Sequence, residues 1–226
     1  MSEKRNLGSI YIPPVPDGEK EIIDLINRLG VVQDNQIAKL LCVKPSEMDS
    51  FLYYMDDLYT KKDRFEIDGH LIYARTKDDR PPKSPGVVEC LWDVINRIER
   101  IDLSLVERAE HPADIFYIRT TTRQEEEKDG SMTEKEIHEV VVDTFIHEKN
   151  LHLVPYLQER YFARVSRDAS GNTHGHLINN IVVNDMDIAE QILDTYELLV
   201  PSVFTLVDHS NTDSNGRPKV SYFKAE

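Results

Sequence analysis

Three acidic side chains have the spacing of a reaction centre. Asp114 opens an apolar, β-branched segment, Glu139 stands twenty-five positions later in the next such segment, and Asp143 follows four residues on. Side chains on a strand repeat on one face every two residues, so Glu139 and Asp143 share a face. Carboxylates brought together from adjacent strands hold Mg2+ through oxygen ligation, and a lysine two residues beyond the glutamate would support an attacking water. Val141 occupies that position, and no Lys or Arg lies between Lys135 and Lys149. The reading adopted is therefore that these are acids on an exposed, solvated face, with no catalytic residue favoured. Mg2+-dependent hydrolysis through Asp114, Glu139 and Asp143 is the alternative.

Histidine offers a second candidate chemistry. Seven of the eight histidines lie in the second half, and His174 and His176, with His147 and His152, supply imidazoles suited to a transition metal. His174 and His176 sit in a Gly/Asn/Ser-rich turn with no cysteine nearby, so no metal site is favoured and no cofactor is expected. Cys42 and Cys90, the only cysteines, each interrupt an apolar helical pattern, and both thiols are expected to be buried. Neither a Gly-rich phosphate loop nor a His-Glu-x-x-His pattern occurs.

The elements that must carry these residues fall on either side of Lys77–Gly86, a stretch with three prolines and five charges that reads as a linker. Residues 1–18 form an extended arm, 19–76 one domain and 87–226 another. In the first domain Ile22, Ile23, Leu25, Ile26 and Leu29 follow helical spacing and stop at Gly30. A second helix over Gln33–Cys42 carries Ile37, Leu40 and Leu41, with Asp34 expected as its N-cap. A third opens near Ser46, with Met48, Phe51, Leu52, Met55 and Leu58 as its apolar stripe. Phe65–Tyr73 then alternates about Asp68-Gly69, a dipeptide favoured in two-residue hairpin turns. Three helices followed by a hairpin spell a winged helix-turn-helix.

In the second domain a helix over Val87–Ile101, with Val88, Leu91, Trp92, Ile95 and Ile98 on one face, is expected to pack on a sheet. Strands are expected at Leu103–Ala109, Asp114–Arg119, Ile137–Ile146, Phe162–Arg167, Leu177–Val183, Ser202–Asp208 and Lys219–Phe223. Helices are expected at Leu151–Tyr161 and Asp187–Leu199, the latter capped by Asn184 or Asp185, and an exposed loop at Thr120–Met132. The fold class is α+β, with a mixed α/β domain at the carboxy terminus.

Charge narrows the partners. The net charge is -14, but residues 1–85 hold 13 basic and 15 acidic side chains and residues 86–226 hold 14 and 26, so the acidity belongs to the second half. Between Ser46 and Thr60 there is no Lys, Arg or His, while Glu47, Asp49, Asp56 and Asp57 would repel phosphates from the helix that normally enters the major groove. Any DNA contact therefore falls to Lys39, Lys44, Lys61, Lys62 and Arg64, around that helix and on the wing. The tyrosines Tyr53, Tyr54 and Tyr59 point to core packing or to a protein partner, including a homodimer. No stretch without charge reaches the ~20 residues of a membrane span, and the amino-terminal residues lack signal-peptide character, so no membrane association and a cytoplasmic location are expected.

Three segments resemble the replication-relaxation family of plasmids and conjugative elements, and a related uncharacterised mobile-element family: Val32-Gln-Asp-Asn-Gln-Ile-Ala-Lys-Leu-Leu41, Gly69-His-Leu-Ile-Tyr73 and Pro112-Ala-Asp-Ile-Phe116. The resemblance implies a winged helix joined to a nuclease-like domain of the restriction-endonuclease-like kind, in plasmid replication or transfer. That family's acidic strand motif places a Glu two residues before an Asp, where this chain has Val141 before Asp143. The resulting expectation is a non-enzymatic accessory or regulatory protein with a catalytically degenerate second domain.

Overall fold

Gly30 ends the first helix with φ of 86°, a left-handed conformation that glycine adopts without a Cβ clash. Helix α1 spans Asp17–Leu29 and is followed at once by strand β1, Val31–Gln33, and helix α2, Asp34–Leu40. Strands β2, Arg64–Ile67, and β3, His70–Ala74, meet at Gly69, whose φ of 80° matches the expected tight turn. The three strands form one antiparallel sheet in the order β1-β3-β2. These observations come from a computed structural model that describes residues 17–44, 47–48, 51, 55, 64–67, 69–75, 85–127, 130–168 and 177–224. The arm, most of the third helix and most of the linker lie outside the described residues, as do Lys61, Lys62, Tyr53, Tyr54, Tyr59, His174 and His176. Met48, Phe51 and Met55, three of the residues assigned to the third helix's apolar stripe, are fully buried.

The remainder is built on a six-stranded sheet, so the chain is mixed α+β with two sheets. Helix α3, Pro85–Asn96, leads through two short 3-10 turns, Ile98–Arg100 and Leu103–Leu105, to strand β4, Glu107–Arg108. Then come β5, Ile115–Glu126; β6, Met132–Phe145; helix α4, Val154–Asp168; β7, Leu177–Val183; helix α5, Met186–Thr195; β8, Ser202–Thr212; and β9, Pro218–Lys224. Strands lie in sequence order. The pairs β6-β7 and β7-β8 are parallel, because α4 and α5 provide the crossovers that parallel neighbours need, and the other pairs are antiparallel.

Period-two alternation assigns the two faces of this sheet. Val141, Phe145, Val182 and Val207 face α3, whereas Val142, Ile181, Val183 and Phe204 face Leu157 and Tyr161 of α4 and Ala189 and Ile192 of α5. The α3 side is continuous with the amino-terminal elements: Leu25, Leu29, Ile37 and Tyr73 belong to the same apolar core as Leu91, Trp92 and Tyr117. Buried Gln36 bridges the two, since its Oε1 accepts from Gln33 N at 3.1 Å and its Nε2 donates to Val88 O at 2.7 Å. Arg28 adds bonds from its guanidinium to the carbonyls of Leu103 (2.7 Å), Ser104 (3.0 Å) and Val106.

Several expectations are corrected. Gln33, not Asp34, caps α2; Asp34 is the first helical residue, and its carboxylate turns to β3, accepting from Leu71 N at 3.0 Å and meeting His70 Nδ1 at 3.1 Å. Leu103–Ala109 is a 3-10 turn with a two-residue strand, and α5 ends at Thr195 with Asp185 as its cap. Phe162–Arg167 is not a strand but the second half of α4: Leu157 and Tyr161, four apart, already face the core, and the helical period continues through the segment. The expected loop Thr120–Met132 is mostly a two-stranded ribbon, because backbone pairing from Thr120↔His138 to Glu126↔Met132 needs no apolar face. Of the cysteines, Cys90 is buried but Cys42 is exposed, with φ of 56° in the turn after α2.

Candidate functional site

The carboxylates identified in the sequence occupy three different environments. Glu139 pairs across the ladder with Arg119, whose Nε and Nη2 both donate to Glu139 Oε2, at 2.9 and 2.6 Å. A fork of this kind occupies the carboxylate with a fixed cation. Asp143 lies on the same face of β6, two pleat periods further along, and is fully buried. That overturns the expectation of an exposed, solvated pair.

Asp114 sits just before β5, beside the end of β6. Its backbone N donates to Asp143 O at 2.9 Å, and its Oδ2 accepts from Phe145 N at 2.9 Å. The carboxylate lies directly against the first turn of α3: a Cβ on Gly86 would fall 2.1 Å from Asp114 Oδ1. Gly86 is therefore a close-approach glycine, and Asp114 joins α3, β5 and β6 at one point. Burial pushes the Asp114 carboxyl up to about 6, against the opposing pull of the Phe145 N–H and of Arg108.

Asp143 belongs to a buried polar network. Asp93 of α3 is its hub: Oδ1 accepts from Arg97 Nε at 2.8 Å and Oδ2 from the Tyr117 hydroxyl at 2.6 Å. The Thr205 hydroxyl lies 3.2 Å from Asp93 Oδ1 and 2.9 Å from Asn180 Oδ1, and Asn180 Nδ2 donates to Asp143 Oδ1 at 2.9 Å. Burial first, and then the neighbouring charge of Asp93, hold Asp143 well above the usual carboxylate range. Asp143 Oδ2 has no hydrogen-bond partner among the described residues. Arg97 closes the outer end, its guanidinium carbon 3.8 Å from the centroid of the Tyr222 ring.

Four carboxylates converge on Cys90. Its thiol is pushed well up by burial, then by Asp114, Asp143, Asp93 and Glu89, which keeps it neutral and unreactive. Among the described residues no group of three or more His, Cys, Asp and Glu side chains is arranged to hold a metal ion. His147 instead caps the 3-10 helix Glu148–Leu153, and His152 is exposed.

Sequence reasoning missed Asp93, Tyr117, Asn180 and Thr205. The signal was present: Asp93 interrupts the apolar run Cys90-Leu-Trp-Asp-Val-Ile95, and Asn179-Asn180 interrupts Leu177–Val183. A polar residue inside such a run must be buried with partners or end the element.

The cations assigned to DNA fall around α2 and the small sheet. Lys39 and Lys44 are exposed, and Arg64 is half-buried at the start of β2. No helix among the described residues is long and apolar enough to cross a membrane. No family model, curated protein or solved structure matches this chain.

Proposed function

We propose that the chain is a non-enzymatic accessory or regulatory protein: an amino-terminal winged helix that contacts DNA through cations flanking its third helix, joined to an α/β domain that serves protein interaction. The observation that carries this reading is the small sheet. Helix, strand, helix, the buried Met48, Phe51 and Met55 and a two-stranded hairpin, with strand order β1-β3-β2, support a winged-helix reading. Lys39, Lys44, Lys61, Lys62 and Arg64 are the cations available to phosphates, and four carboxylates on the third helix direct contact to its flanks and the wing. The mobile-element setting rests on the resemblance of the three short sequence segments.

The second reading, a Mg2+-dependent nuclease, draws on the meeting of Asp114 and Asp143 at the joined ends of β5 and β6. Against it, Glu139 is taken by Arg119 and Asp143 is fully buried. A short fluorescent duplex titrated at low salt with Mg2+ present, with strand integrity read in the same samples, separates the two. The accessory reading expects saturable binding, weakened by Lys61→Glu with Lys62→Glu, and intact strands. Scission abolished by Asp143→Asn establishes the nuclease instead, and absence of any binding removes DNA from both.

A further inference from the structure

Beside the sealed network, on the outer side of α3, lies an open cavity of about 390 Å³ with a different composition. Its walls bring Lys39 from α2 together with Arg217 and Lys219 from the β8–β9 hairpin, residues nearly 180 positions apart, with Asn96 and Trp92 contributed by α3. In a chain of net charge -14 the described lining carries three cations and a single carboxylate. That carboxylate, Asp213, is engaged in the hairpin turn, where Oδ1 accepts from Asn215 N at 2.8 Å and Arg217 N at 3.0 Å.

Two buried donors at the cavity have no acceptor among the described residues: Nε1 of Trp92, a residue only 3% exposed, and Nε of Arg217. Both N–H groups are closed off from solvent, so they stand behind the cavity wall, and the cations that a ligand would meet are Lys39, Lys219 and the outer face of Arg217. Arg217 is held in place from its other end, where Nη2 donates to Val43 O at 3.1 Å. A guanidinium fixed on the backbone, flanked by two mobile ammonium groups, suits an anion with several oxygens.

We propose that this cavity binds a small phosphorylated ligand, with the phosphate held by Lys39, Arg217 and Lys219. The volume lies within the ~300–1,000 Å³ of small-molecule sites. The inference shares Lys39 with the DNA reading but requires neither the wing nor the third helix, and Arg217 and Lys219 belong to it alone. A ligand here would tie α2 to the β8–β9 hairpin across α3.

Calorimetric titration of the full chain with pyrophosphate and with ADP tests it, with succinate and a short duplex as comparison probes. Saturable binding of pyrophosphate or ADP is expected, about tenfold weaker in Lys39→Gln and in Lys219→Gln, as loss of one charged hydrogen bond implies. Both positions are exposed, so these variants keep the wild-type melting temperature. The proposal is overturned if neither phosphate probe binds, if both variants bind them as wild type does, if succinate binds equally well, or if only the duplex engages these lysines.

Discussion

Helix α3 separates two polar clusters that obey opposite rules. On its inner side Asp93, Asp143, Asn180, Thr205 and Tyr117 are fully buried and hydrogen-bond mainly to one another, although Asp143 Oδ2 has no partner among the described residues. On its outer side Lys39 and Lys219 are exposed around an open cavity, and two N–H donors there lack acceptors. Titratable groups in a cleft are a common sign of function, but the inner cluster shows that burial and strong perturbation also arise where polar groups brace a sheet. What distinguishes the clusters is access together with the sign of their charge, acidic inside and mainly cationic around the open cavity.

The largest effect expected from breaking that contrast is at the hub. Asp93→Ala strips the acceptor from Arg97, Tyr117 and Thr205 at once, so a loss of ~3–5 kcal/mol in chemical denaturation is expected, as for a broken buried ion pair. Next comes the close approach at α3: Gly86→Ala drives a Cβ into Asp114 and should cost ~1–3 kcal/mol, a loss that Asp114→Ala in the same chain largely relieves.

Asp114→Asn sharpens the comparison through pH. The folded carboxyl titrates at about 6, above its ordinary 3.8, so the folded state holds the proton more tightly than the unfolded chain. This group therefore favours folding most at low pH, and its contribution falls as pH rises from 3.8 to about 6 and is constant above. The melting temperature of Asp114→Asn relative to wild type is expected to climb through that window and then level off. The smallest effect belongs to the outer cluster: without ligand, Lys39→Gln and Lys219→Gln should shift stability by no more than ~0.5 kcal/mol.

Much of the scaffold was legible because apolar period and turn chemistry agree with it. Gly30 and Gly69 stand where positive φ is needed, α3 carries its stripe onto the sheet, and Leu177–Val183 and the β8–β9 pair fall where expected. The failures lie where a segment takes its conformation from its neighbours. Phe162–Arg167 continues the helix that enters it, and Thr120–Glu126 is a strand only because Met132–His138 lies opposite. Among candidate site residues, the shared face of Glu139 and Asp143 follows from strand period, whereas Asp114's contact with Asp143, Asp143's burial and Glu139's pairing with Arg119 depend on cross-strand register. The groove draws on Lys39 and Arg217, whose proximity no local pattern encodes.

The central claim is that the inner carboxylates hold the fold together and do not hold metal. A ligand bound only by the folded state raises stability in proportion to the logarithm of its concentration. Melting temperatures of wild type and Asp143→Asn, recorded across a Mg2+ series at constant ionic strength, test this directly. The account predicts melting curves insensitive to Mg2+ in both proteins; a wild-type melting temperature that climbs with Mg2+, with the climb lost in Asp143→Asn, would contradict it.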